Sequence, residues 1–227
     1  FDYKTGIDLE TKRTPFSGGS GLLAEGLLPP PSTMKFGLAC FLLAIPLALY
    51  LLITVGWLLL PTLLHRGLFI LLYTPHLAGL MLGVISAGLG LGALPIMGSY
   101  FVQAGVYTPA AMVASVPSMI LTFNLLFLNE FPDLEPDRRG GRRNLVIALG
   151  REKAGRLYTL LTVSMYMWIV GSVLAGLMPP PVLMALVTIP FALKAGRGAL
   201  RDYSEQEKFI PALGANVVVV LGTQALL

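Results

Sequence analysis

Closely spaced carboxylates and four guanidinium groups crowd into the segment Asn129–Gly150, which reads N-E-F-P-D-L-E-P-D-R-R-G-G-R-R-N-L-V-I-A-L-G. Asp133, Glu135 and Asp137 come first, and Arg138, Arg139, Arg142 and Arg143 follow. Exposed ion pairs add little to stability, so folding energy does not explain such a cluster. Carboxylates beside arginines make chemical sense when something bridges them, and the economical bridge is a divalent cation together with an anionic substrate, a diphosphate above all. Breaking the carbon–oxygen bond of a diphosphate ester leaves negative charge on the departing group. Magnesium on hard oxygen ligands would neutralise that charge as it develops, while arginine or lysine clamps the non-bridging oxygens. The chain opens on a related pattern, D-Y-K-T-G-I-D-L-E-T-K-R, with Asp2, Asp8, Lys12 and Arg13. Each segment gives paired acids followed by bases, and each precedes a membrane span. A duplicated unit whose two copies face one cavity would have this form.

The elements that must position these groups are apolar. Hydrophobic residues make up 55% of the 227 and charged residues only 12%, which points to an integral membrane protein rather than a soluble domain. The predicted fold is all-α, a polytopic transmembrane helical bundle forming a single domain over 1–227. Seven spans are expected, at Phe36–Val55, Trp57–Tyr73, Leu77–Ala104, Ala110–Phe131, Ala154–Leu177, Pro181–Leu193 and Phe209–Leu227. Gly79, Gly83, Gly88, Gly90 and Gly92 form a stripe of small residues that lets helix backbones approach closely. Cys40 is the only cysteine and falls in mid-span, which excludes a disulfide framework and a thiolate metal site. The first residues show no basic n-region and no apolar h-region, so no signal peptide is visible. Their abrupt start predicts a fragment lacking its N-terminal part.

Alternating the spans across a bilayer puts fifteen of the sixteen basic residues, and all twelve acids, on one side, with Arg66 the exception. Basic loops stay cytoplasmic, so this charged face is read as cytoplasmic, in the cell membrane. The net charge of +4 is modest and local, which argues against nucleic acid as a partner. Asp133 and Asp137, four residues apart, would share a helix face. Pro132 and Pro136 frame the first of them, so the helix is expected to end or kink near Phe131–Pro132 and leave both acids on a distorted turn.

These residues resemble the UbiA superfamily of intramembrane aromatic prenyltransferases. Asn129, Asp133 and Asp137 match its second acidic motif, an Asn four residues ahead of D-x-x-x-D, and the stretch D-R-x-x-G-x-R-x-L-x-x-x-L-G continues the pattern through Gly150. The opening D-Y-K-T-G-I-D and R-T-P-F-S-G-G-S-G resemble the end of the first motif, in the form found in the menaquinone-type (dihydroxynaphthoate) branch. The Tyr73-Thr-Pro segment and P-I-M-G-S-Y-F-V-Q-A-G from Pro95 are similar to that branch as well. The resemblance implies nine helices, of which the first two would be missing here. It implies Mg2+ held by Asp2, Asp8, Asp133 and Asp137, bridged by a polyprenyl diphosphate, with Asn129 assisting. Arg13 and Arg138, with Lys12 and Arg142, would contact phosphate oxygens, and Tyr73 would face an allylic cation attacked by a small aromatic acceptor in quinone-type lipid biosynthesis. Many members carry a Lys or Arg soon after this tyrosine, where the present chain has His76.

Two other classes stay open on sequence. A transporter or channel with a charged cytoplasmic gate would want ionisable groups along a pathway inside the spans, where only Arg66, His65 and the polar Asn124 lie. A prenyltransferase with a non-aromatic acceptor would use the same acidic motifs. An alcohol phosphatidyltransferase would need a single, differently spaced aspartate cluster, which the chain does not contain.

Overall fold

In the computed structural model, which describes residues 3, 14–16, 19–72, 81–203 and 205–227, every regular element is helical. The seven expected spans appear as six helices long and apolar enough to cross a membrane and one shorter apolar helix, Trp57–Leu72. Helix α1 is Pro30–Val55, opening on prolines whose missing N–H groups cost nothing in a first turn. Gly56, at φ 129°, breaks the chain before a 3-10 turn at Trp57–Leu59 that leads into α2, Leu60–Leu72. Helix α3 is Gly83–Ala104, and α4 is Pro109–Asn129, capped by the Thr108 side chain, which accepts from the Ala111 N–H at 3.2 Å. Two short helices follow, α5 at Leu134–Arg139 and α6 at Leu145–Leu149. The remaining spans are α7 at Arg151–Leu174, α8 at Pro180–Asp202 and α9 at Gln206–Leu226.

One boundary differs from expectation in an informative way. The connection before the last span was expected to begin after Leu193, yet α8 runs nine residues further, to Asp202. Lys194, Arg197 and Arg201 interrupt the hydropathy but not the helix, whose backbone runs on through all three, and Arg201 in the last turn is favoured by the helix dipole. Arg151, Lys153 and Arg156 likewise stand on the first turns of α7, not in a loop. The charges gather at helix ends as much as in the connections between them.

Close backbone approach builds the centre. Helix α3 contains a π-helical segment at Gly88–Ala93, and this segment packs along α4. A Cβ placed at Gly92 would lie 2.6 Å from the Ser118 carbonyl oxygen, and one at Gly88 would lie 2.9 Å from that of Met119. Gly90 turns the other way, under the Phe69 ring of α2. Polar side chains then tie α4, α7 and α9 together where no water competes. Asn124 Nδ2 donates to Thr162 Oγ1 at 3.0 Å, Tyr158 Oη donates to Asn216 Oδ1 at 2.8 Å, and Asn216 Nδ2 donates to the Asn124 carbonyl at 3.3 Å.

Candidate active site

The acidic turn begins where α4 runs out at Asn129. Phe131 and Leu134, both buried, hold it down in a cluster with Phe127, Val146, Tyr158 and Phe209, and the Phe131 ring stacks on Phe209 at 5.5 Å. These apolar anchors alternate with the carboxylates, so packing of one set fixes the other. The structure corrects the expected distorted turn. Residues 131–133 do form a turn, but Asp133 is the N-cap of α5 and Asp137 sits one helical turn on, with the Asp137 N–H donating to the Asp133 carbonyl at 2.9 Å. Pro136 is accommodated because it stands in the first turn of α5, where an N–H has no helical partner.

Asp137 is buried, at 4% exposure. Its Oδ2 accepts from Asn144 Nδ2 at 2.8 Å, and its Oδ1 faces Arg142 Nη1 at 3.3 Å. The chain returns to it through Gly140 and Gly141, the latter at φ 76°, a left-handed conformation that glycine adopts without strain. Asn144 does two jobs there. It caps α6, its Oδ1 accepting from the Ile147 N–H at 2.8 Å, while its amide holds the aspartate. Sequence reasoning passed over Asn144, although an Asn directly before L-V-I-A-L is a helix-start signal.

Glu130 was missed as well. Its carboxyl is largely buried, with Oε2 lacking a hydrogen-bond partner. Burial pushes its pKa up to about 8, the neighbouring Asp137 charge adds to the rise, and the Leu145 and Val146 backbone N–H groups and Arg142 partly offset it. The signal was available: an acid at a helix C-terminus opposes the helix dipole, so another interaction must hold it there.

The other expected site residues divide into two groups. Asn129 lines a cavity of about 410 Å³ between α2, α3 and α4, beside Phe69, Ser86, Gly90, Thr122 and Arg66. Arg138 is exposed and stands 3.9 Å from Glu135, a surface pair. Asp2, Asp8, Lys12, Arg13 and Tyr73 lie outside the described residues, as does His76. Phe16, however, is described, and it packs against the cluster that contains Phe131 and Leu134, with its ring 3.1 Å from where a Gly214 Cβ would stand. His65 is exposed, its Nδ1 2.7 Å from the Pro61 carbonyl oxygen.

Among the described residues no three His, Cys, Asp or Glu side chains group to hold a metal ion. What is present fits a hard divalent cation as one side of a site. Asp133 and Asp137 are hard oxygen donors one helical turn apart, the donor type that such a cation takes.

Comparison with known proteins agrees with this architecture. The chain is 25% identical over 211 residues to a 1,4-dihydroxy-2-naphthoate octaprenyltransferase of Bacillus subtilis, covering 89% of this chain and 65% of the relative. It is 28% identical over 133 residues to a 2-carboxy-1,4-naphthoquinone phytyltransferase of Synechocystis sp., covering 58% and 43%. It is 34% identical over 80 residues to a 1,4-dihydroxy-2-naphthoate octaprenyltransferase of Escherichia coli, covering 35% and 26%. The chain thus spans just under two thirds of the length of the first of these relatives and less of the others. No solved structure matches it. The profile of the UbiA prenyltransferase family matches residues 1–217, which take in the acidic turn, the helices around it and the cavity at Asn129, so the chain belongs to that family.

Proposed function

We propose that this protein transfers a prenyl group from a polyprenyl diphosphate to an aromatic acceptor of the dihydroxynaphthoate type, at the acidic turn between α4 and α7. The observation that supports the reading is the packing of Phe16 against the same buried cluster that contains Phe131 and Leu134. Phe16 follows Arg13 by three residues, and Phe131 and Leu134 flank Asp133, so residues near both acidic motifs, more than a hundred positions apart in sequence, share one apolar cluster. The names of the relatives supply the acceptor class.

Asp133 and Asp137, with Asp2 and Asp8 from the other segment, would hold magnesium, and Asn129 would assist. When bound, magnesium supplies positive charge to the leaving diphosphate. Arg13 and Arg138, with Lys12 and Arg142, bind the phosphate oxygens, Arg142 doing so while it also pairs with Asp137. The allylic carbon–oxygen bond breaks and its electron pair leaves with the diphosphate. A ring carbon of the acceptor then forms the new carbon–carbon bond and releases its proton to restore aromaticity. Tyr73 would serve the cation, as the family resemblance implies. The apolar cavity beside Asn129 keeps water from the cation, which water would otherwise quench. The charged helix ends face the cytoplasm, in the cell membrane, by the bias of lysine and arginine.

Membranes containing the full-length protein, supplied with radiolabelled polyprenyl diphosphate, 1,4-dihydroxy-2-naphthoate and magnesium, should form prenylated product. Asp133→Ala and Asp137→Ala should each lower the rate by about 100-fold or more. Full activity in both variants would refute the assignment.

A further inference from the structure

One charged residue remains unused by this account. Arg66 lies in the middle of α2, half-buried, and makes no hydrogen bond or ion pair among the described residues. It lines the 410 Å³ cavity that ends at Asn129 and also a second cavity of about 360 Å³ bounded by Thr62, Pro95, Gly98, Ser99 and Gln103. It is the sole charged residue on the described walls of either. A guanidinium held inside an apolar membrane bundle with no counter-charge among the described residues is costly, and such residues mark sites of function. Reaching for the membrane surface does not explain it well. Arg66 stands midway along α2, six residues from Leu60 and six from Leu72, so neither described end is close at hand.

The cavity itself narrows the ligand. Its volume suits a small molecule, its walls are mostly apolar with the Phe69 ring lying over Gly90, and its polar groups are few: Ser86, Thr122, Asn129 and Arg66. A single cation matches a single negative charge on a largely apolar body. A diphosphate carries more charge than one arginine can neutralise, and the arginine-rich segment 138–143 already stands by the acidic turn. Arginine's planar fork matches a carboxylate through two parallel hydrogen bonds. We propose that Arg66 binds the carboxylate of the aromatic acceptor inside this cavity and so points the ring toward Asn129 and the acidic turn. The inference rests on the prenyl-transfer reading for the identity of the acceptor.

The test uses the full-length protein with 1,4-dihydroxy-2-naphthoate and, as an analogue without the carboxylate, 1,4-dihydroxynaphthalene. Arg66→Gln should raise the KM for the naphthoate by about 10- to 100-fold, as loss of a charged hydrogen bond does, and leave the KM for polyprenyl diphosphate unchanged. Arg66→Lys should fall between. The unsubstituted protein should prefer the acid over the analogue by a similar factor, and Arg66→Gln should lose that preference. A rise in the diphosphate KM alone would place the arginine on the donor and overturn the proposal. So would equal use of acid and analogue by the unsubstituted protein, a result that needs no variant to fold. If no prenyl transfer occurs with any acceptor, the prenyl-transfer reading fails, and equilibrium binding of the naphthoate to purified protein decides the rest. Binding weakened by Arg66→Gln sustains the inference, and binding indifferent to it ends it.

Discussion

Helices α1 and α4 are both membrane spans, yet they solve different problems. Helix α1 is the more apolar, with a mean hydropathy of 2.6 over its best window, and only 6% of that window is buried within the protein. Helix α4 scores 1.9 and buries 44%, and α8, at 1.4, buries 44% as well. In water this order would reverse, because apolar surface drives burial there. In a bilayer the surroundings are as apolar as leucine, so hydrophobicity gives no reason for two helices to meet. What draws α3, α4, α7, α8 and α9 together is what α1 does not show among the described residues: glycines with a second backbone against them and polar groups bonded across helices. Gly88 and Gly92 face α4, and Asn124, Tyr158, Thr162 and Asn216 bond across three helices. A second set, Tyr166, Thr188 and Thr223, bonds across α7, α8 and α9. The acidic turn is built on this packed side, and α1 has one buried residue, Leu52.

If the packed side carries the stability, titrating its buried acid should give the largest effect. Glu130 holds its proton to about pH 8 in the folded protein, against 4.5 for an ordinary glutamate. Between those values the unfolded chain has released a proton that the folded one retains, so stability is full below pH 4.5 and falls as pH rises toward 8. The slope approaches about 1.4 kcal/mol per pH unit. Denaturation of the solubilised protein across this range, with a chelator present, should show that fall, and Glu130→Gln should flatten it. A slope unchanged by the substitution would mean that Glu130 is hydrated.

Overpacking the α3–α4 contact comes next. Gly92→Val puts two methyl groups where even a Cβ would meet the Ser118 carbonyl oxygen at 2.6 Å, and should cost about 1–3 kcal/mol. Glycine is needed here for approach, not for backbone freedom. Asn216→Leu removes the acceptor of the Tyr158 hydroxyl and the donor to the Asn124 carbonyl. Interhelical hydrogen bonds in membranes average below 1 kcal/mol, but stranding the tyrosine hydroxyl adds to that, so the expected loss is about 1–2 kcal/mol. Asn216→Asp or Asn216→Gln should recover part of it. Unfolding in mixed micelles would measure both substitutions.

Why some of this could be read from sequence and some could not follows from the same physics. The spans are legible because every backbone group inside a bilayer must be satisfied within its own helix, which forces long apolar runs. The glycine stripe is legible because small residues have few other uses in a span. Asp133, Asp137 and Asn129 are legible because their spacing is local. Helix α8 was cut short because hydropathy stops at Lys194 while hydrogen bonding does not. Pro136 was taken as an obstacle because a first turn tolerates what an interior refuses, and no pattern says where a six-residue helix begins. Asn144 gains its second role only when Gly140 and Gly141 reverse the chain toward Asp137. Arg66 looked like a stray charge because a cavity is made by three helices at once, and no single stretch of sequence contains it.

The contrast between α1 and the packed side is sharpest where nothing should happen. Leu43 and Leu47 are four residues apart on one face of α1, 69% and 67% exposed within the protein. In a soluble domain, two exposed leucines on one helix would mark a surface awaiting a partner. On the reading that lipid meets them, Leu43→Ala with Leu47→Ala trades protein–lipid contact for a smaller version of the same contact. The double substitution should shift the folding free energy by less than about 0.5 kcal/mol, the range of ordinary surface changes, and leave prenyl transfer unchanged. The same measurement that registers Gly92→Val should therefore be blind to it. A loss of 2 kcal/mol or more, on the scale of about 2–5 kcal/mol for a buried leucine cut back to alanine, would show that this face of α1 packs against protein in the membrane, and that the division drawn between lipid-facing and packed helices is in the wrong place.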